Sequence, residues 1–348
     1  MSDAVRGVNV PNVTSWFADH LEEVTPPLRF EQIVGGRSNL TYRVTDAAGR
    51  DFVLRRPPLG HVLATAHDMA REHKIIAGVG RTGVPVPAAL GCCEDVEVND
   101  APFYVMGFAP GEVIDFAEKA DALMPDHAAR RRLGLHAAEV LADLHLVDPD
   151  QVGLGDLGRR EGYLDRQLSR WAKQWEASKT REAPAMEEAH RLLLAAQPEQ
   201  RFTGIVHGDF RIGNFMSDPA AGRVTAVLDW ELCALGDTLA DLGYLLNDWH
   251  QPGEEIPGGR EPSASGAGGF PTREELVRAY CARSGRDLGD DDVAYYRAFQ
   301  NWRLAVIVEG VRRRYLEGVM GEDTIDLDLY ARRVEAMAAE AVAMLSAG

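Results

Sequence analysis

Apolar and polar positions alternate with a period of two over residues 30–110, which predicts a strand-rich segment. Ile33 to Val44 carries Gly35-Gly36 and then an alternating face of Leu40, Tyr42 and Val44, and Asp51 to Arg56 repeats the pattern. A helix is expected from about Thr65 to Val79, followed by strands over Val86 to Cys93 and Pro102 to Phe108. The turn signal Phe108-Ala109-Pro110-Gly111 divides the chain into 1–108 and 109–348. Beyond residue 120 the period becomes helical. Leu133, Ala137, Val140, Leu141 and Leu144 form one stripe in Asp126 to His145, and Leu164, Leu168, Trp171 and Trp175 form the next. A β-rich patch interrupts at 203–230. Residues 251–272 hold six Gly and four Pro, which predicts a mobile loop rather than an element. Thr272 with Glu275 is a capping-box start, and two long helices are expected at 290–318 and 326–346. No internal repeat is visible. The pattern describes a small β-rich lobe hinged to a larger, mainly helical lobe.

Composition narrows the partners. Acids outnumber bases 54 to 37 over 348 residues, for a net charge of -17, which argues against nucleic acid or an anionic membrane as partner. Hydrophobic and charged contents of 45% and 26% are ordinary globular values. No stretch approaches the roughly 20 apolar residues of a membrane span, and Met1 to Val10 shows no export signal. Cys92, Cys93, Cys233 and Cys281 have neither metal spacing nor a disulfide framework. A soluble cytoplasmic protein is the expectation; the oligomeric state is not legible. The 37 basic residues include only four Lys, at 74, 119, 173 and 179.

The chemistry concentrates in Val206-His207-Gly208-Asp209-Phe210-Arg211-Ile212-Gly213-Asn214 and, fifteen residues on, Leu228-Asp229-Trp230-Glu231. Two carboxylates and a carboxamide sit on loops at strand ends. Phosphoryl transfer from ATP asks for such a set: one carboxylate to orient the hydroxyl and accept its proton, an Asn and a second Asp to hold Mg2+. The step of five from Asp209 to Asn214 is that of kinase catalytic loops.

On these strings, with Gly236-Asp237-Thr238-Leu239-Ala240-Asp241-Leu242-Gly243, the chain resembles the aminoglycoside phosphotransferase and choline kinase superfamily over roughly 30–345. Within it, the chain is most similar to the kinase-like domain fused to some acyl-CoA dehydrogenases and to free-standing bacterial relatives. The resemblance implies an α+β, protein-kinase-like, two-lobed fold. Residues 1–108 would be the nucleotide-binding lobe, an antiparallel sheet with one helix, and 109–348 the helical catalytic and acceptor lobe. It further implies ATP and Mg2+ as cofactors, Asp209 as catalytic base, Asn214 and Asp229 as Mg2+ ligands, Asp241 as support for the catalytic loop and His207 as scaffold.

The first lobe carries its own signals. In 51–56, Val53 and Arg55 share a face, opposite Phe52 and Leu54. The resemblance puts an adenine-lining residue and a phosphate-binding Lys at such positions; here the cation is Arg55, which grips phosphate bidentately but with a different shape. Met69, Glu72, Ile76 and Val79 form one helical stripe, so Glu72 needs a buried partner, expected to be Arg55. In Gly35-Gly36-Arg37-Ser38-Asn39, the backbone of Gly36 and the Ser38 hydroxyl are expected at the β-phosphate. The resemblance assigns Met106 to Phe108 to the adenine.

Other candidates resolve blandly. His61, His67 and His73 cannot share a helical face, and His136 and His145 read as packed scaffold. The acceptor is a small-molecule hydroxyl. Arg303 and Arg312 to Arg314 point to an anionic acceptor, a hydroxy acid or hydroxyacyl-CoA, or to a solvated face; Asp287 and Asp290 to Asp292 suit a polycationic aminoglycoside. The 251–272 loop reads as a lid over the acceptor or as an inert insertion. A catalytically inactive nucleotide-binding pseudokinase is the remaining alternative, with Arg55 in its favour. A protein kinase is disfavoured, because no Asp-Phe-Gly or Ala-Pro-Glu segment follows Asp229.

Overall fold

The computed structural model describes residues 5–33, 39–60, 68–256, 261–319 and 326–346. The chain divides into two compact units. The first comprises Met1–Pro110 with Val152–Leu154 and Thr225–Glu231, and the second the remainder.

The first unit is built on an antiparallel sheet. Its strands are β1 (Arg29–Ile33), β2 (Leu40–Thr45), β3 (Asp51–Arg56), β4 (Ala89–Cys93) and β5 (Phe103–Gly107), in the order β1-β2-β3-β5-β4. The strand parity expected for 51–56 sorts its two faces. Phe52 and Leu54 face a core of Val13, Trp16, Phe17, Phe103 and Val105. Much of that core comes from an unexpected helix, α1 (Val10–His20), whose Asn9 side chain accepts from the Asn12 amide at its start. Trp16 meets Phe103 edge-on at 4.9 Å, and Phe17 meets Phe52 at 5.9 Å. Gly91 makes room for this packing: a Cβ there would lie 2.9 Å from the Trp16 ring. The other face, with Val53 and Arg55, belongs to α2 (Met69–Val79), capped by Asp68. A short α3 (Val96–Asn99) also escaped the periodicity.

The second unit is mainly helical. Its helices are α4 (Ala117–Leu123), α5 (His127–Leu146), α6 (Tyr163–Ser178), α7 (Pro184–Ala195), α8 (Leu239–Asp248), α9 (Arg273–Ser284), α10 (Asp290–Leu316) and α11 (Leu327–Ser346). Between them, β6 (Thr203–Val206) pairs antiparallel with β9 (Ala234–Asp237), and β7 (Phe215–Asp218) leads by a turn into β8 (Arg223–Val227), which runs on into the first unit. The α10 helix packs along α8 and α11, and α5 along α9. As an α+β chain with an antiparallel sheet ahead of a helical remainder, the architecture matches the expectation.

One expectation fails in part. Within 251–272, residues 257–260 lie outside the described set, but 263–271 is packed rather than a free loop. Ser263, Ala264 and Ser265 are buried, Ala264–Ala267 is a 3-10 turn, and Ser263 bridges to Phe116. The Trp249 indole donates to the Pro271 carbonyl at 2.9 Å. Small residues and Pro here allow close packing against His250 and Trp249; composition alone mistook this for freedom. Among the described residues no helix is long and apolar enough to cross a membrane.

Candidate active site

In the first unit the sheet face and α2 bring Arg55 and Glu72 together. Glu72 is 3% exposed and lies 3.4 Å from the Arg55 Nε. That contact is an ion pair without hydrogen-bond geometry, because Nε has no hydrogen-bond partner. Glu72 is instead satisfied by Tyr104, whose hydroxyl donates at 3.1 Å, and by the Asn39 amide at 3.2 Å. Burial pushes the Glu72 carboxyl above its ordinary range, while Arg55 and the two donors pull it back. Arg55 reaches further, to Asp229, to which Nη2 donates at 2.7 Å, and to Glu231 at 3.6 Å. Burial works against its charge, but Tyr104, Glu72 and Asp229 more than offset that and hold the guanidinium above its usual value. Asp229 has a left-handed backbone, φ 66°, in the turn after β8, a conformation uncommon outside Gly but tolerated by Asp. Backbone strain of this kind gathers at functional sites.

Three carboxylates thus face one guanidinium. The surplus negative charge and the oxygen donors suit a hard divalent cation. Among the described residues no three His, Cys, Asp or Glu side chains could hold a metal ion by themselves. Mg2+ in nucleotide sites takes only one or two protein carboxylates and fills its shell with phosphates and water, so the set fits it.

Val53 is buried and pairs in register with Met106, itself buried, while Phe108 is exposed beneath the Arg43 guanidinium at 4.8 Å. Arg56 turns to the opposite face, as its parity requires, and donates to the Gly7 and Asn99 carbonyls. Gly36 and Ser38 lie outside the described residues.

In the second unit the loop after β6 is fastened from below. Asp241, fully buried on α8, accepts from the His207 amide at 2.6 Å and the Gly208 amide at 2.8 Å. Gly208 has φ +87°, and a Cβ there would sit 2.7 Å from the Leu232 carbonyl, so only Gly fits. Arg303 on α10 donates twice to the Gly208 carbonyl, both at 3.1 Å, and to Gln300 at 2.9 Å. Asp209 follows, half-exposed. Its amide donates to His207 Nδ1 at 3.2 Å. The Asn214 amide nitrogen donates to both the Asp209 carbonyl and its Oδ2, each at 2.8 Å, which leaves the Asn214 carbonyl oxygen for a cation. Arg211 lies 3.6 Å from the other Asp209 oxygen. The Tyr244 hydroxyl, raised first by burial and then by the Asp209 charge, also hydrogen-bonds Asp209.

His145 is fully buried between Tyr280 and Asp241, and burial holds it below its ordinary value, a scaffold role like that of His136, which accepts from the Val224 amide. Of the basic residues expected to receive an acceptor, Arg303, Arg312 and Arg313 are spoken for, and Arg314 is exposed. Arg303 is buried under the His207–Asn214 loop, Arg312 donates to Leu327 and Thr180, and Arg313 pairs with Glu317 at 2.6 Å. Of the proposed acidic patch, Asp292 is bound to Arg201 and to the start of α10.

Sequence reasoning named Asn39 and Glu231 only within their strings, without a role, and passed over Tyr104, Tyr244 and the true task of Arg303. Two had readable signals: Tyr104 shares strand parity with Met106, and Tyr244 lies one helical turn from Asp241.

A model of the phosphotransferase enzyme family matches residues 29–289. Mouse acyl-CoA dehydrogenase family member 10 is 37% identical over 298 residues, covering 84% of this chain and 27% of the relative. The human acyl-CoA dehydrogenase family member 11 is 32% identical over 314 residues, covering 89% of this chain and 39% of the relative. The chain therefore spans well under half the length of these curated relatives. Among solved structures, a Ralstonia eutropha protein provisionally assigned as an aminoglycoside phosphotransferase superposes with a TM-score of 0.82 at 30% identity, covering 97% of this chain and 98% of that one. A choline kinase from Cryptosporidium parvum shares the fold, with a TM-score of 0.66 at 11% identity over 95% of each chain.

Proposed function

The chain belongs to the phosphotransferase enzyme family, with a protein-kinase-like fold and small-molecule kinase activity, and from that premise we propose that it transfers the γ-phosphate of ATP to a small-molecule hydroxyl with Mg2+. The observation that carries the reading is the pairing of Asp209 with Asn214. Asn214 and Tyr244 orient the Asp209 carboxylate, and Asp241 and Arg303 fix the loop beneath it. Asp209 then holds the acceptor hydroxyl in line and takes its proton as the new O–P bond forms and the bond from the γ-phosphorus to the β-bridging oxygen breaks, with ADP as the leaving group. Asn214 and Asp229 each offer an oxygen to Mg2+, which when bound neutralises charge on the transferring phosphates. Arg55, kept charged and aimed by Glu72, presents its Nη1, unbonded among the described residues, to a phosphate oxygen. Val53, Met106 and Phe108 would line the adenine, and Gly36 and Ser38 would cover the phosphates. Positioning and charge neutralisation supply most of the catalysis.

Acyl-CoA dehydrogenase relatives favour a hydroxy acid or hydroxyacyl-CoA as acceptor over an aminoglycoside. The inactive alternative, a nucleotide-binding pseudokinase, keeps one observation: Arg55 stands where the family's Lys would, and it is bound to Asp229. Mg2+-dependent ATP consumption, screened with hydroxyacyl-CoAs, hydroxy acids, choline-like alcohols and aminoglycosides, separates the readings. Asp209→Asn should lower the rate by about 10²–10⁴-fold, the usual worth of a general base. Asp229→Ala should abolish the Mg2+ response. Turnover indifferent to both substitutions would sink the kinase assignment.

A further inference from the structure

We propose that the outer face of α6 seats an anionic group of the acceptor, remote from the hydroxyl that reacts. This rests on the phosphotransferase reading and narrows its acceptor to the anionic class. Arg166, Ser169, Arg170, Lys173 and Gln174 line an open, shallow groove of about 480 Å3. Their spacing places them on one helical face. The groove has no acidic lining residue.

Acids exceed bases by 17. Some arginines elsewhere in the second unit find carboxylates, Arg181 with Glu309, Arg283 with Asp143 and Arg131 with Glu275, and others, such as Arg286 and Arg303, are held by hydroxyl and carbonyl oxygens. On α6, among the described residues, no carboxylate pairs with Arg170 or Lys173. Arg166 donates only to the Arg159 and Glu161 carbonyls, which leave its charge uncompensated. Three adjacent cations without a counter-ion in so acidic a protein are complementary to clustered anionic oxygens.

The same helix connects the groove to the chemistry. Trp171, half-buried, lies under the Arg303 guanidinium at 5.4 Å, and Arg303 holds the Gly208 carbonyl beside Asp209. Arg170, which lines the groove, also lies over the Trp171 ring at 5.4 Å, so the groove borders the ring. An acceptor with its hydroxyl at Asp209 can run its apolar middle across Trp171 and place its anionic end at Arg170 and Lys173. A polycationic acceptor would meet three like charges there.

Isothermal titration tests this with the whole chain saturated by Mg2+ and a non-hydrolysable ATP analogue, which fills the nucleotide site. Methylphosphonate and glutarate, which hold Mg2+ only weakly, are titrated separately, the first standing for a phosphorylated end and the second for a carboxylate end. At least one should bind at a single site, and the Arg170→Glu/Lys173→Glu double variant should weaken it by tenfold or more while the analogue binds as before. The preferred probe identifies the anion's chemistry. No binding of either probe, or binding that the double variant leaves unchanged, overturns the proposal. Asp209-dependent ATP consumption alongside such a result would leave the kinase reading intact, so the two failures are distinguishable.

Discussion

Arg55 is the residue on which the first unit turns, because one guanidinium answers Glu72, Asp229 and Glu231. Arg55→Ala strands these carboxylates, one of them buried, and breaking a buried pair costs about 3–5 kcal/mol. A lower Tm and roughly 100-fold weaker ATP binding are expected, read by calorimetry and titration, since about 2.7 kcal/mol corresponds to two decades. Arg55→Lys keeps a point charge but not the fork, so ATP affinity should fall by no more than about tenfold. Equal binding by wild type and Arg55→Ala would remove Arg55 from the nucleotide site. Glu72 behaves differently. Its raised folded-state pKa means that ionised Glu72 costs stability above the unfolded value, a cost absent once the pH falls below it. Glu72→Gln should therefore leave Tm nearly unchanged at pH 7 while raising the KM for ATP, because only Asp229 and Glu231, both on the Nη2 side, would then aim Arg55. A large fall in Tm would contradict this.

At the scale of elements, the start of α9 offers a pH test. Glu275 closes the capping box with Thr272 and takes Arg131 bidentately at 2.9 and 2.6 Å. The Arg131 guanidinium, helped by the Thr272 amide, holds its carboxyl down at about 2. A depressed carboxyl stabilises the fold fully above its unfolded value of about 4.3 and loses that effect as pH falls toward the folded one. The Tm difference between wild type and Glu275→Gln should be constant above about pH 5 and shrink steadily below it; a gap that widens in acid would refute the assignment. The capping box was legible because its residues are local. So were β3 and the stripe of α2, where a strict period reports one buried face. The α1 helix was not: its eleven residues bury only Val13, Trp16 and Phe17, a short stripe, and what fixes them is Phe52 and Phe103 far along the chain. Likewise 263–271 reads as a loop by composition, and only Trp249 and His250 show it to be packed.

For the molecule as a whole, the family and the α+β architecture were readable because the His207–Asn214 and Leu228–Glu231 strings are short, contiguous and chemically demanding. Acceptor chemistry was not, because it depends on which cations remain unpaired after folding. Arg303 looked available in sequence and is locked under the His207–Asn214 loop, whereas Arg170 and Lys173 looked like ordinary solvated positions.

The near-absence of Lys has a practical consequence. Reactive nucleotide analogues that tag kinases do so by acylating an amine beside the phosphates, and the first unit offers no amine on its sheet, Lys74 being exposed on α2. Acyl-phosphate ATP probes should leave this enzyme unlabelled in a cell extract where other kinases react. A guanidine-selective dicarbonyl should inactivate it, with ATP protecting and with peptide mapping placing the adduct at Arg55. Labelling at Lys74 that ATP blocks would show a different route for the phosphates.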